Sequence, residues 1–174
     1  MLYTTNGLHN IRYLVDGPQG IGERSSMQDV NIYIYTEYKG SFASGSGKWH
    51  VLLECEAAIS GKIETVTMKE IGAEEDITKN RLEVLALLKA LQHLTKPCHL
   101  VIYTNSAYIT SAYDHGWLNN WIDHNFMIKG KEIKHADLWR QVVDISMRNP
   151  IQVKQTDKTP YTAAQKSELE HWKE

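Results

Sequence analysis

The sequence predicts an α/β domain with a mixed five-stranded sheet flanked by helices, and three observations predict it. β-branched and aromatic residues cluster first, in three runs between Val30 and Met68 joined by loops. A long segment then changes to apolar residues at three- and four-residue spacing. From Cys98 onward, strand-like and helix-like segments alternate to the end. Three antiparallel strands followed by alternating helix and strand give this architecture.

Each element has its own signal. Val30 through Glu37 alternates and suits a central strand. After the loop from Lys39 to Gly47, the runs Trp49 to Cys55 and Ile63 to Met68 read as two more strands, joined around Ile59-Ser60-Gly61-Lys62. The second alternates as an antiparallel strand with one wet face does. Thr78 caps a helix whose apolar positions Leu82, Leu85, Leu88, Leu91 and Leu94 recur at helical spacing, and Pro97 ends it. Cys98 to Thr104 is a buried strand. The Ser106 hydroxyl caps a helix to about His115, and Trp117 to Trp121 starts a short one. A loop around Lys129-Gly130-Lys131 leads to a helix from Ala136 to Met147, which Asn149-Pro150 breaks. Ile151 to Lys154 is the fifth strand, and Thr162 to Trp172 the final helix.

At 174 residues the chain fits one domain with a core that needs no staples. Residues 1–29 read as an extension packed on a domain of residues 30–174, with a short strand at Ile11 to Val15 and a Gly- and Pro-rich turn at Asp16 to Gly22. Basic and acidic residues nearly balance, 19 against 21, so any nucleic-acid binding must rest on a local patch. Cys55 and Cys98 both sit in apolar runs and read as buried thiols of a reducing compartment. No apolar run approaches the roughly 18 residues that span a bilayer. Met1 to Asn6 lacks the charged and apolar regions of a signal peptide. The expectation is a soluble, cytoplasmic protein with no membrane partner.

Four pieces of the chain carry a resemblance. The strand Asn31 to Thr36 delivers Glu37; Asn80-Arg81-Leu82-Glu83 opens the first long helix; and the strand ending Tyr103-Thr104 delivers Asn105-Ser106. The fourth is Gly116-Trp117-Leu118-Asn119-Asn120-Trp121, a loop with Lys129, Lys131 and Lys134, and then Asp137-Leu138-Trp139. In this order and at these separations they resemble ribonuclease H of the type 1 family, over almost all of Val30 to Trp172. The resemblance implies the ribonuclease H-like fold and metal-dependent endonuclease chemistry on the RNA strand of an RNA–DNA hybrid. Such chemistry uses two divalent ions about 4 Å apart. Mg²⁺ takes its protein ligands chiefly from carboxylates.

Carried over by position, the family's four catalytic carboxylates fall on Glu37, Glu83, Asn105 and Ser167, with Glu37, Glu83 and Asn105 as candidate metal ligands. Only Glu83 is unchanged. Glu37 adds a methylene, Asn105 loses the anionic charge, and Ser167 has neither charge nor reach. Glu168 is adjacent to Ser167, but one helical position is a rotation of roughly 100° and points it away. The segment Gln155 to Pro160 lacks the His that the family carries before its last helix. The resemblance implies Mg²⁺ or Mn²⁺ for an active enzyme and no metal for an inactive one. Lys39, Asn80, Trp117, Trp121, Lys129, Lys131 and Lys134 are the candidate nucleic-acid contacts; without the resemblance, the tryptophans read as helix packing and the lysines as a solvated face.

Three functions follow as expectations. The first is a catalytically impaired ribonuclease H-like domain that binds RNA–DNA hybrid or duplex RNA by backbone shape. The second is an active or residual metal-dependent hybrid endoribonuclease. The third is a protein-interaction scaffold, for which the sequence leaves the oligomeric state open.

Overall fold

Three long strands open the chain in the computed structural model, which describes residues 27–173. They are β1 (Gln28–Gly40), β2 (Gly45–Ile59) and β3 (Lys62–Ile77). Then come α1 (Lys79–Leu91), β4 (Cys98–Thr104), α2 (Ala107–Asp114), α3 (Trp117–Asp123), β5 (Met127–Ile128), β6 (Lys131–Glu132), α4 (Ala136–Ser146), β7 (Ile151–Gln155) and α5 (Thr162–His171). The strand expected at Ile11 to Val15 and the turn after it lie outside the described residues.

The main sheet has the order β3-β2-β1-β4-β7, antiparallel between β1, β2 and β3 and parallel between β1, β4 and β7. The mixed five-stranded sheet expected from the sequence is the one found. Ile32 is paired with Leu53 on one side and Ile102 on the other, so these side chains share a face. All three are sealed from solvent, together with Leu82, Val84, Leu87 and Leu91 of α1. Cutting any one of these leucines to alanine costs about 2–5 kcal/mol. Residues of β2 that alternate with this set, such as His50, face the opposite layer. There Gln165 of α5 lies 3.2 Å from His50 Nδ1. The sheet is thus covered by α1 on one face and α5 on the other.

Several boundaries differ from the sequence reading for physical reasons. β3 continues nine residues past Met68 because β2 offers it a ladder as far as the Gly45↔Ile77 pair. The segment after Met68 shows no clean alternation because β3 is an edge strand, mostly half-buried. α1 ends at Leu91 rather than at Pro97, its last turn tightening as His93 N bonds Ala90 O and Leu94 N bonds Leu91 O. The lysine loop holds a small hairpin, β5–β6, turned by left-handed Lys129 and Gly130. Its two-residue strands are too short to leave a periodic signal. Cys55 and Cys98 are free and buried.

Candidate active site and nucleic-acid surface

Parallel pairing of β1 and β4 runs to Ile34↔Thr104, so Asn105 follows at the carboxyl end of β4, while Glu37 lies three residues past Ile34, inside β1 and paired with Lys48 of β2. α1 docks beside them through Leu82. A Cβ on Gly47 would fall 2.3 Å from Leu82 Cδ2 and 2.8 Å from Glu37 O, so only glycine lets the helix come this close. Thr78 caps α1, accepting from Arg81 N at 3.3 Å as its sequence position predicts.

Glu83, one residue on from Leu82, is 4% exposed, not the solvated acid that a helix start suggests. Its Oε2 accepts from Ser106 Oγ at 2.5 Å, and its Oε1 lies 3.9 Å from Lys79 Nζ. Burial pushes its carboxyl above the ordinary range, against the opposing pull of the Ser106 hydroxyl and the Lys79 charge. Glu37 is exposed instead, with Oε1 accepting from Tyr35 OH at 3.2 Å. Burial, and then the Glu37 charge, raise the Tyr35 hydroxyl above its usual value.

α5 is seated by Gln165, whose Nε2 donates to Tyr33 O at 3.1 Å. Ser167 is exposed on this helix, and its carbonyl accepts from His171 Nδ1 at 2.7 Å. Glu168 turns to the sheet, 2.6 Å from Lys69 Nζ and 3.5 Å from His50 Nε2. It is committed there. Lys48, a basic residue near the same strand end, donates to Leu169 O at 3.0 Å and so ties down the end of α5.

The nucleic-acid candidates fall in two groups. Asn80 and Lys134 line a cleft of about 550 Å³ with Lys79, His135 and Phe42. The same pair, with Lys131 and Tyr108, lines a second cleft of about 310 Å³. Lys129 and Lys131 are exposed on the β5–β6 hairpin, and Glu132 between them and Lys134 is drawn off by Arg140 at 3.2 Å. Lys39 is exposed at the end of β1. Trp121 is buried, with ring centroids 5.2 Å from Trp139 and 6.2 Å from Trp117; Trp117 is 39% exposed. The sequence reading did not single out Lys79, His135 or Phe42. Phe42, the one large apolar residue in a Gly/Ser loop, was the signal available for that surface.

The RNase H family model matches residues 29–157. This chain belongs to the RNase H family. It is 32% identical over 122 residues to a ribonuclease H of Thermoanaerobacter sp. (strain X514), covering 69% of this chain and 73% of that one. Its fold is similar to LC9-RNase H1, a type 1 RNase H with the type 2 active-site motif, at a TM-score of 0.68 and 18% identity, over 83% of this chain and 72% of the other. It is also similar to LC11-RNase H1, solved in complex with RNA/DNA hybrid, at a TM-score of 0.50 and 16% identity, over 78% and 92% of the two chains.

RNase H enzymes generally use divalent metals, so the donor set here can be tested against that need. Among the described residues, no three His, Cys, Asp or Glu side chains converge in a way that could hold an ion. Glu83 Oε2 accepts from Ser106 Oγ and Glu37 Oε1 from Tyr35 OH, and these are the only two carboxylates among the four positions. Asn105 and Ser167 add no charge. Mg²⁺ demands near-octahedral oxygen coordination with carboxylate anchors. The residues present do not fit a pair of such ions.

Proposed function

We propose that this RNase H domain binds RNA–DNA hybrid or duplex RNA through the nucleic-acid backbone and does not cleave it by its family's paired-metal chemistry. The observation that carries the reading is the condition of Glu83. The one family carboxylate kept unchanged is buried, and its Oε2 accepts from Ser106 Oγ. Two carboxylates and an amide supply too little negative charge to hold two dications side by side, whose mutual repulsion the ligands must offset.

Support for the binding half is local. With a formal net charge of −2, the chain as a whole does not attract polyanions. Lys79 and Lys134 nevertheless flank Asn80 in one cleft, and Lys129 and Lys131 extend the basic strip. A-form duplexes offer a wide minor groove of sugars and phosphates, which suits such shape-directed contacts. The hybrid bound by LC11-RNase H1 supports the choice of ligand.

Gel shift of a labelled hybrid at rising salt, with a cleavage assay in Mg²⁺ and then Mn²⁺, tests both halves. The expected result is binding that weakens with salt and no cleavage above that of Glu83→Gln. Cleavage in Mg²⁺ that the substitution removes overturns the reading. A residual activity through Glu37, Glu83 and Asn105 is the second reading, favoured by an exposed Glu37 carboxylate three residues past the last pair of the β1–β4 ladder. Its signature is cleavage in Mn²⁺ alone, abolished by Glu83→Gln.

A further inference from the structure

We propose that Phe42 is a base-stacking residue that makes this domain prefer duplexes carrying an unpaired base. The proposal rests on nucleic-acid binding at the adjoining cleft. Phe42 is 95% exposed, more than any other large apolar side chain among the described residues. Solvated loop tips ordinarily carry small or polar residues, as its neighbours Ser41, Ala43 and Ser44 do.

The turn that holds the ring out is braced on every side. Ser41 donates to Ser44 O from both its amide and its hydroxyl, each at 3.1 Å. The same Oγ accepts from the amides of Ala43 and Ser44 at 3.3 Å. Tyr38 OH donates to Ser41 O at 2.7 Å and lies 3.2 Å from Ile77 O, pinning the turn to the end of β3. Gly45 makes room for this brace: a Cβ there would fall 2.7 Å from the Tyr38 hydroxyl oxygen and 2.8 Å from Gly40 Cα. Tyr38 lines the same cleft, and its hydroxyl bonds the loop. It positions the loop. The backbone that carries the ring is thus ordered before binding, which spares that part of the ordering cost.

Chemistry around the ring selects the partner. Lys79, Asn80, Lys134 and His135 line the same cleft of about 550 Å³. A flat apolar face beside cations and amide donors matches one nucleotide, with its base on the ring and its phosphates on the lysines. Away from its two ends, a perfect duplex covers both faces of every base, and the ends are common to paired and bulged duplexes. The ring gains a stacking partner only where a base has left the stack, as at a bulge.

The test compares two short hybrids, one fully paired and one with a single unpaired base, by fluorescence anisotropy. Wild type should bind the second about tenfold more tightly, the scale of one base–aromatic stack. Phe42→Ala should erase that difference, and Phe42→Tyr should restore it. Asn80→Ala should weaken both hybrids alike. Equal wild-type affinities, or a Phe42→Ala loss that is the same for both, overturns the stacking role while leaving backbone binding in place. Failure of wild type to bind either hybrid overturns the nucleic-acid reading itself, and this proposal with it.

Discussion

Ser106 Oγ accepts from Ile109 N at 3.0 Å and donates to Glu83 Oε2 at 2.5 Å, so one hydroxyl both caps α2 and closes the buried acid of α1. Its lone pair serves the cap and its proton the carboxylate. Neither role can be moved without disturbing the other.

Ser106→Ala should therefore cost more than an ordinary cap. Loss of the cap costs about 0.5–2 kcal/mol. Leaving a buried carboxylate oxygen without its donor adds about 1–3 kcal/mol. Urea unfolding should show a deficit of roughly 2–4 kcal/mol. A second substitution, Glu83→Gln, should recover part of it, because the charge that needed the donor is gone.

Glu83→Gln alone should stabilise the fold at neutral pH by roughly 1 kcal/mol, the usual gain when a strained functional group is relieved. The folded carboxyl titrates above its ordinary 4.5, so its stability contribution is present below that value and lost as pH rises through the folded pKa. Unfolding at pH 4 and pH 8 should show the variant's advantage growing with pH. An advantage equal at both would mean that Glu83 carries no such penalty.

His50 makes the opposite pH signature. It is fully buried, with Nδ1 facing Gln165 and Nε2 facing Glu168; burial lowers its pKa against the favourable Glu168 charge, and Lys69 lowers it further. The unfolded chain binds a proton here that the folded chain refuses, so stability falls as pH drops below the ordinary 6.5. The slope should approach at most about 1.4 kcal/mol per pH unit, that of one extra proton. Urea midpoints from pH 8 to pH 5 measure it, and His50→Gln should remove it.

Much of this was legible because local chemistry and tertiary structure agree. Thr78 and Ser106 cap the helices that their positions announce, and Cys98–Thr104 is a strand over its whole expected length. What escaped the sequence depends on partners far along the chain. The second half of β3 exists because β2 offers it a ladder, and the burial of Glu83 because Ser106 lies 23 residues away across the sheet end. Tyr38 lines the cleft and braces its loop through Ser41 O and Ile77 O, and no linear pattern encodes that pairing.

Lysines of the hairpin and of the segment after it give a prediction that does not depend on Phe42. If Lys129, Lys131 and Lys134 each neutralise one phosphate, the triple alanine variant should bind hybrid more weakly at low salt. Each lost contact should also reduce the slope of log affinity against log salt by about 0.7–0.9. Sequence changes in the duplex should leave both numbers unmoved, because phosphate contacts carry no base information. A slope that does not change would remove these lysines from the interface.

Restoring charge tests the catalytic half from the other direction. Glu37→Asp, Asn105→Asp and Ser167→Asp together would, with Glu83, put a carboxylate at all four positions carried over from the family. Asn105→Asp alone should give three of the four carboxylates and yield little, since a clamp short of ligands holds at most one ion. The triple variant should take up Mg²⁺ by calorimetry and cleave the RNA of a hybrid at least about a hundredfold faster than the unaltered chain, the scale on which misplacement of about 1 Å matters. Adding Glu83→Gln to it should abolish both uptake and cleavage. If the triple variant binds Mg²⁺ yet stays inert, the defect lies beyond the ligands, with the His-free segment Gln155 to Pro160 as the next place to change. If the unaltered chain already matches it, lack of charge was never what limited the site.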